Sequence, residues 1–167
     1  MDFALTQEQQ MMRDAARSMV EREVSPVLAA HDANQPLPKS AMLRIYAALA
    51  ALGITAPRLP EAAGGGGLKM LDYGLMFEQL PPVISISLLS HECTIARIWA
   101  ESTPEKHAQF LPELIAGRKI CCTGTTEPDV GSDPRSVKTR VEKDGDELVI
   151  TGRKMWITNV TDRKSVV

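Results

Sequence analysis

Near residue 118 the hydrophobic pattern of this chain changes period, and no other feature constrains its fold as much. Before that point apolar residues recur at three- and four-residue steps, the spacing of a helix face. After it they alternate and β-branched residues become common, the spacing of strands. An α+β architecture is expected: an N-terminal all-α helical bundle, followed by the first strands of an antiparallel β domain that is incomplete at residue 167.

The first helix is expected from Thr6. Thr6-Gln7-Glu8-Gln9 has the capping-box form, and Met12, Ala15, Ala16, Met19, Val20 and Val24 make one apolar face, with Pro26 late in the run. A second helix fits 39–52, with Met42, Ile45, Leu49 and Leu52 on one side and Gly53 as its stop. Prolines 57 and 60 make 54–60 read as extended, and the four glycines in 61–67 require a loop. Two more helices follow at about 69–79 and 85–100. Ser102-Thr103-Pro104-Glu105 reads as a second capping box, opening a fifth helix that stops at Gly117. Beyond it, 120–126 is a candidate strand, 127–134 a loop and 137–143 an alternating run. Asp144-Gly145 reads as a hairpin turn into 148–151, and a turn at 152–153 leads to a last strand at 155–159.

Composition narrows the partners. With 19 basic and 21 acidic residues and a net charge of −2, no positive surplus exists to neutralise phosphates, so nucleic acid is not expected. The longest mostly apolar stretch, 46–57, is well short of the ~20 residues that span a bilayer. The first residues, Met-Asp-Phe, lack a basic segment leading into an apolar one, so no secretion signal is read there. Three cysteines, two of them adjacent at Cys121 and Cys122, argue against a disulfide framework and for a reducing, cytoplasmic location.

Two segments could carry chemistry. In 123–133 a strand breaks at Pro128 and turns through Gly131, with hydroxyls on both sides of the break. Such a strand end can offer amide hydrogens and hydroxyls to a planar heterocycle or a phosphate. An ordinary polar loop would carry the same residue types. In the second, 152–159, a strand would point Trp156 and Thr158 to one face, where an aromatic surface and a hydroxyl suit a flat conjugated ring. A core tryptophan is the competing reading.

The ordered set of motifs is more specific than either segment. Thr126-Glu127-Pro128-x-x-Gly131-Ser132-Asp133 is followed by Lys138-Thr139, Gly145-Asp146, Gly152, Lys154 and Trp156-Ile157-Thr158-Asn159. Upstream stand Phe3-x-Leu5-Thr6-x-Glu8-Gln9-x-x-Met12-Arg13, Leu52-Gly53-Ile54, Pro60-Glu61 with Gly64-Gly65, and Lys106-x-x-x-Phe110-Leu111-Pro112 before Gly117. Together they resemble the acyl-CoA dehydrogenase family of flavoproteins.

The resemblance implies an N-terminal helical domain at 1–118 and, at 119–167, the truncated opening of a flavin-binding middle β domain. It implies FAD as cofactor, approached by Thr123, Gly124, Thr125 and Thr126 and by Gly131 and Ser132. Thr126 would lie along the polar edge of the isoalloxazine, and Ser132 would also touch the CoA portion of the substrate. Trp156 would pack on the flavin with Ile157 beside it, and the Thr158 hydroxyl would reach N5. The activity implied is α,β-desaturation of an acyl-CoA thioester, with electrons leaving to an electron-transfer flavoprotein and the full-length protein forming a homo-oligomer, tetramer or dimer. No catalytic residue is assigned within the chain. The family's general base is a glutamate of a C-terminal helical domain, and Glu127 and Asp133 fall in the flavin-loop scaffold. The alternative is a truncated, non-catalytic helical module, inactive alone or paired with another chain.

Thr151 stands where the family usually has asparagine, and 162–167 does not continue the family pattern, so a truncated chain is expected. The Gly-Ser-Asp-Pro form at 131–134 also occurs in glutaryl-type members, but no arginine near 80–90 offers itself to a distal carboxylate, and the acyl group is not narrowed. His91-Glu92-Cys93 diverge on a helix, so no metal site is expected. Ser132 lacks the G-x-S-x-G elbow of hydrolases, and Gly64–Gly67 lack the spacing of a nucleotide fingerprint. The methionine and leucine stripes read as core. Cys121 and Cys122 read as one inward and one outward residue of the first strand, without a reactive role.

Overall fold

A computed structural model describes residues 4–160; Phe3 of the family-like opening and the 162–167 tail lie outside the described residues. Helix α1 (Gln7–Met19) starts as the sequence predicts, with the Thr6 hydroxyl accepting from the Gln9 amide at 3.2 Å and the Gln9 side chain accepting from the Thr6 amide at 3.1 Å. It runs through a π-helical turn, Val20–Val24, into α2 (Ser25–Ala29). The wider turn lies just ahead of Pro26. A proline in a regular helix presses on the carbonyl four residues back and has no amide to donate, and a widened turn relieves both.

Helix α3 (Lys39–Ala51) ends at Gly53, whose φ is +71°. Helices α4 (Met70–Phe77), α5 (Pro82–Glu101) and α6 (Pro104–Ile115) follow. Ile45, Tyr46 and Leu49 of α3 pack with Ala16 and Met19 of α1, Tyr73 and Met76 of α4, and Ile84 and Leu88 of α5. Further along α5, Ile95 joins Leu111 and Leu114 of α6 in a second cluster with Ala56 and Leu59. Helix α5 thus belongs to both clusters, and it positions everything that follows.

Several local expectations are corrected. Residues 54–60 are not extended but a series of turns, with Ile54, Thr55, Ala56 and Leu59 buried. No strand lies alongside them among the described residues, so their carbonyls are met by the glycine run: Gly66 donates to Ala56 O (3.0 Å), Gly67 to Leu59 O (2.9 Å) and Leu68 to Pro57 O (2.8 Å). A Cβ on Gly65 would lie 2.3 Å from the Leu59 carbonyl oxygen, so only glycine allows this approach. The second capping box does not form: Thr103 caps α6 without a side-chain bond to the backbone amides, and the Ser102 hydroxyl turns back to the Ile98 carbonyl.

The β region is a two-stranded antiparallel sheet, β1 (Arg140–Asp144) with β2 (Glu147–Thr151), in the register Arg140↔Thr151 to Asp144↔Glu147. The turn residues are therefore Gly145-Asp146 rather than Asp144-Gly145, and Gly145 supplies φ +59°. The expected strands at 120–126 and 155–159 are absent. Positive φ at Trp156 (+55°) and Asn159 (+66°) breaks the second, and the first bonds mainly to side chains of α5. The architecture remains α+β, a helical bundle followed by an antiparallel β element.

Candidate functional site

One stripe of α5, Ile86, Leu89, Ser90, Cys93 and Arg97, forms a wall of an open pocket of about 270 Å³. Thr123, Thr125 and Thr158 face it across the pocket. The stripe is offset from the core stripe of the same helix, which is Ile84, Leu88, His91 and Ile95. Its apolar members are not core: Ile86 is 56% exposed and Leu89 43%. The sequence reading missed this wall by assigning every leucine stripe to the core. The signal was present, because α5 carries apolar residues on more of its circumference than one core-facing stripe needs.

Two side chains of α5, Thr94 and His91, anchor the facing segment at Thr123 and Cys121. The Thr94 hydroxyl donates to Ser90 O at 2.7 Å, leaving the Thr123 hydroxyl, 2.8 Å away, to donate to Thr94. The Cys121 amide donates to His91 Nδ1 at 3.2 Å, so the ring carries its proton on Nε2, 3.1 Å from the Leu114 carbonyl. Burial holds the His91 pKa down to about 4, and its ring meets the Tyr46 ring edge-on at 4.9 Å. Burial also pushes the Cys121 thiol up to about 12, well away from a nucleophilic thiolate. Consecutive residues of α5 point apart as the helix requires: His91 to α6, Glu92 into an ion pair with Arg58, Cys93 to the pocket.

Glu127 is the hub of the second anchor. Its carboxylate accepts from the amides of Lys138 (2.8 Å) and Thr139 (2.9 Å), from the Thr139 hydroxyl (2.5 Å) and from Lys154 Nζ (2.9 Å). These donors, the Thr139 hydroxyl first, hold its pKa down to about 2. A carboxylate so occupied is a scaffold joining the 123–130 segment to the start of β1 and to Lys154, which also donates to Thr125 O at 3.1 Å. Asp133 is likewise engaged, accepting from the Arg135 amide at 3.1 Å and from the Ser136 hydroxyl.

Among the residues singled out from the sequence, Thr123, Thr125 and Thr158 come together at the pocket. The Thr126 carbonyl accepts from the Met155 amide at 3.0 Å, which joins the two segments. Gly124 lies against Lys154 and Ile157, where an added Cβ would come within 3.5 Å of Ile157 Cδ1. Gly131 and Ser132 are exposed and do not line the pocket, and Trp156, expected on the same face as Thr158, is 83% exposed and does not line it either. Among the described residues no group of three or more His, Cys, Asp or Glu side chains could hold a metal ion.

Residues 6–118 match the family model described as acyl-CoA dehydrogenase, N-terminal domain, and residues 122–167 match acyl-CoA dehydrogenase, middle domain. The chain is 29% identical to the probable acyl-CoA dehydrogenase YngJ of Bacillus subtilis, over 100% of this chain and 44% of that protein. The fold resembles glutaryl-CoA dehydrogenase from Mycobacterium smegmatis with a TM-score of 0.80 and 32% identity, covering 92% of this chain and 40% of that one. It also resembles an acyl-CoA dehydrogenase complexed with FAD from Bacillus anthracis with a TM-score of 0.80 and 25% identity, covering 95% and 28%. The chain spans less than half the length of each of these relatives. Helices, hairpin, ordered motifs and family patterns agree, and the chain belongs to the acyl-CoA dehydrogenase family.

Proposed function

We propose that this chain is the N-terminal helical domain (1–118) and the opening of the middle domain (119–167) of an FAD-dependent acyl-CoA dehydrogenase, which desaturates an acyl-CoA thioester between its α and β carbons. The observation that carries this reading is that Thr123, Thr125 and Thr158 line one pocket whose other wall is the half-apolar stripe of α5. The residue set fits a flavin: the hydroxyls of Thr125 and Thr158 can give or accept a hydrogen bond and suit the heteroatom edge of an isoalloxazine, while Trp156 stands outside the pocket lining. Thr123, Thr125, Thr126 and Thr158 would hold the ring's polar edge, with Gly124 and Ile157 packed beside them and Gly131 and Ser132 reaching the more distal part of cofactor or CoA. FAD held there would supply the acceptor for the hydride lost from the β carbon.

The chain's own residues bind and orient. Ile86 and Leu89 offer the acyl group an apolar wall, while Ser90 and Cys93 line the same side. Glu127 stays ionised and bonded to its four donors, so it takes no proton from substrate. The proton acceptor is proposed to lie outside this chain, as do the transfer of electrons to an electron-transfer flavoprotein and the assembly into a dimer or tetramer. Thiols at Cys93, Cys121 and Cys122 support a reducing, cytoplasmic location, and among the described residues no helix is long and apolar enough to cross a membrane.

The test is spectroscopic. In the flavoprotein carrying this chain, Thr158→Ala is expected to shift the flavin midpoint potential without unfolding the protein, and an unchanged potential removes Thr158 from the site. The isolated chain is expected to be colourless and inactive, and a flavin band that bleaches with acyl-CoA in that chain would refute this. One observation favours a second reading, a non-catalytic module that pairs with another polypeptide: Val141, Leu148 and Ile150 share one face of the hairpin and are exposed, an apolar surface that a further segment would cover.

A further inference from the structure

Asn159 ties its segment to the helical bundle. Its Oδ1 accepts from the Ser87 hydroxyl at 2.7 Å, and its Nδ2 donates to the Ser87 carbonyl at 3.0 Å and, at 3.5 Å, to the Cys121 carbonyl. Because Ser87 gives its proton to Asn159, the Tyr46 hydroxyl, 2.9 Å from Ser87 Oγ, donates to the serine. Tyr46 is fully buried on α3 and Ser87 is buried on α5. A hydrogen-bond relay therefore runs from the middle of the bundle, Tyr46 to Ser87 to Asn159, and ends on the residue next to Thr158. Cys121 closes the frame, with its amide on His91 and its carbonyl on Asn159.

The backbone of Asn159 has φ +66°, a conformation that asparagine tolerates better than most side chains. A turn residue would need only that tolerance. The two-sided grip on Ser87 is an additional property, since it uses both ends of the amide on one residue of the pocket-forming helix. We propose that Asn159 is a positioning residue, and that the Tyr46–Ser87–Asn159 relay sets where the Thr158 hydroxyl stands relative to the α5 wall. The proposal rests on the reading of Thr158 as a flavin contact given above.

Glycine separates the two roles. Asn159→Gly keeps the left-handed turn accessible but removes the amide, and Ser87→Ala removes the hydroxyl link to Tyr46 and Asn159 while leaving the turn and the bond from Asn159 Nδ2 to the residue-87 carbonyl. In the 167-residue chain, hydrogen exchange is expected to quicken at least tenfold at the Cys121 and Met155 amides in Asn159→Gly and by a smaller factor in Ser87→Ala, with the β1–β2 amides unchanged. The double variant should exchange no faster than the more affected single one, because both break one relay. In the flavoprotein, Asn159→Gly should move the flavin potential in the same direction as Thr158→Ala. Wild-type exchange in Asn159→Gly, additive effects in the double variant, or a potential that responds to Thr158→Ala and not to Asn159→Gly would each overturn the proposal. If Thr158→Ala itself leaves the potential unchanged, the flavin reading fails and the positioning role fails with it, whatever the exchange data show.

Discussion

Removing one or the other partner of the Arg58–Glu92 ion pair should have very unequal effects. The pair fixes the 54–67 turns to α5, with Arg58 Nη2 at 3.1 Å from Glu92 Oε2 and a second, closer bond from Nε to Oε1. The Glu92 side chain is 3% exposed and that of Arg58 is 40% exposed. Arg58→Met strands a carboxylate away from water, which costs about 3–5 kcal/mol. Glu92→Leu leaves a guanidinium that can turn to solvent, so the loss is closer to that of a surface pair, about 1 kcal/mol. Unfolding the chain in urea reads both, with a slope of about 2 kcal/mol per molar. The midpoint should fall by roughly 1.5–2.5 M for Arg58→Met and by about 0.5 M for Glu92→Leu. The double variant Arg58→Met/Glu92→Leu should recover most of the difference, because no charge is then left buried. Equal shifts for the two single variants, or a larger one for Glu92→Leu, would show that desolvation of the carboxylate is not what makes the pair matter.

Two pH dependences follow from the same anchors. An unfolded histidine takes a proton near 6.5, whereas buried His91 resists until about 4, so between these values the unfolded chain binds more protons. Stability should therefore decline from pH 6.5 to about 4 by up to roughly 3 kcal/mol, and His91→Gln should flatten this part of a urea-midpoint profile even if it is less stable at pH 7. Glu127 acts lower: its folded pKa of about 2 lies below the ordinary 4.5, so its contribution is intact above 4.5 and lost as pH falls toward 2. Amide exchange at Lys138 and Thr139 should accelerate in that window, and Glu127→Gln should show fast exchange there already at pH 7.

What could be read from the chain was what local physics decides. The Thr6 box, the Gly53 and Gly117 stops and the existence of the β1–β2 hairpin each depend on residues within a turn or two of one another, although the hairpin turn falls one residue later than read and the box at Ser102 does not form. Of the residues that the resemblance singled out, Thr123, Thr125 and Thr158 line one pocket, while Gly131, Ser132 and Trp156 do not. Packing decided the rest. A strand exists only where another backbone runs beside it; the 120–126 segment bonds instead to His91 and Thr94, and 155–159 is bent through left-handed residues and gripped by Ser87, 72 positions away from Asn159 in the chain. Periodicity likewise marks apolar stripes on α5 without saying which will be covered. Ile84 and Leu88 are enclosed by neighbouring helices, while Ile86 and Leu89 remain open as a pocket wall. Burial is a property of what lies opposite a side chain, and only the folded chain brings that opposite surface into place.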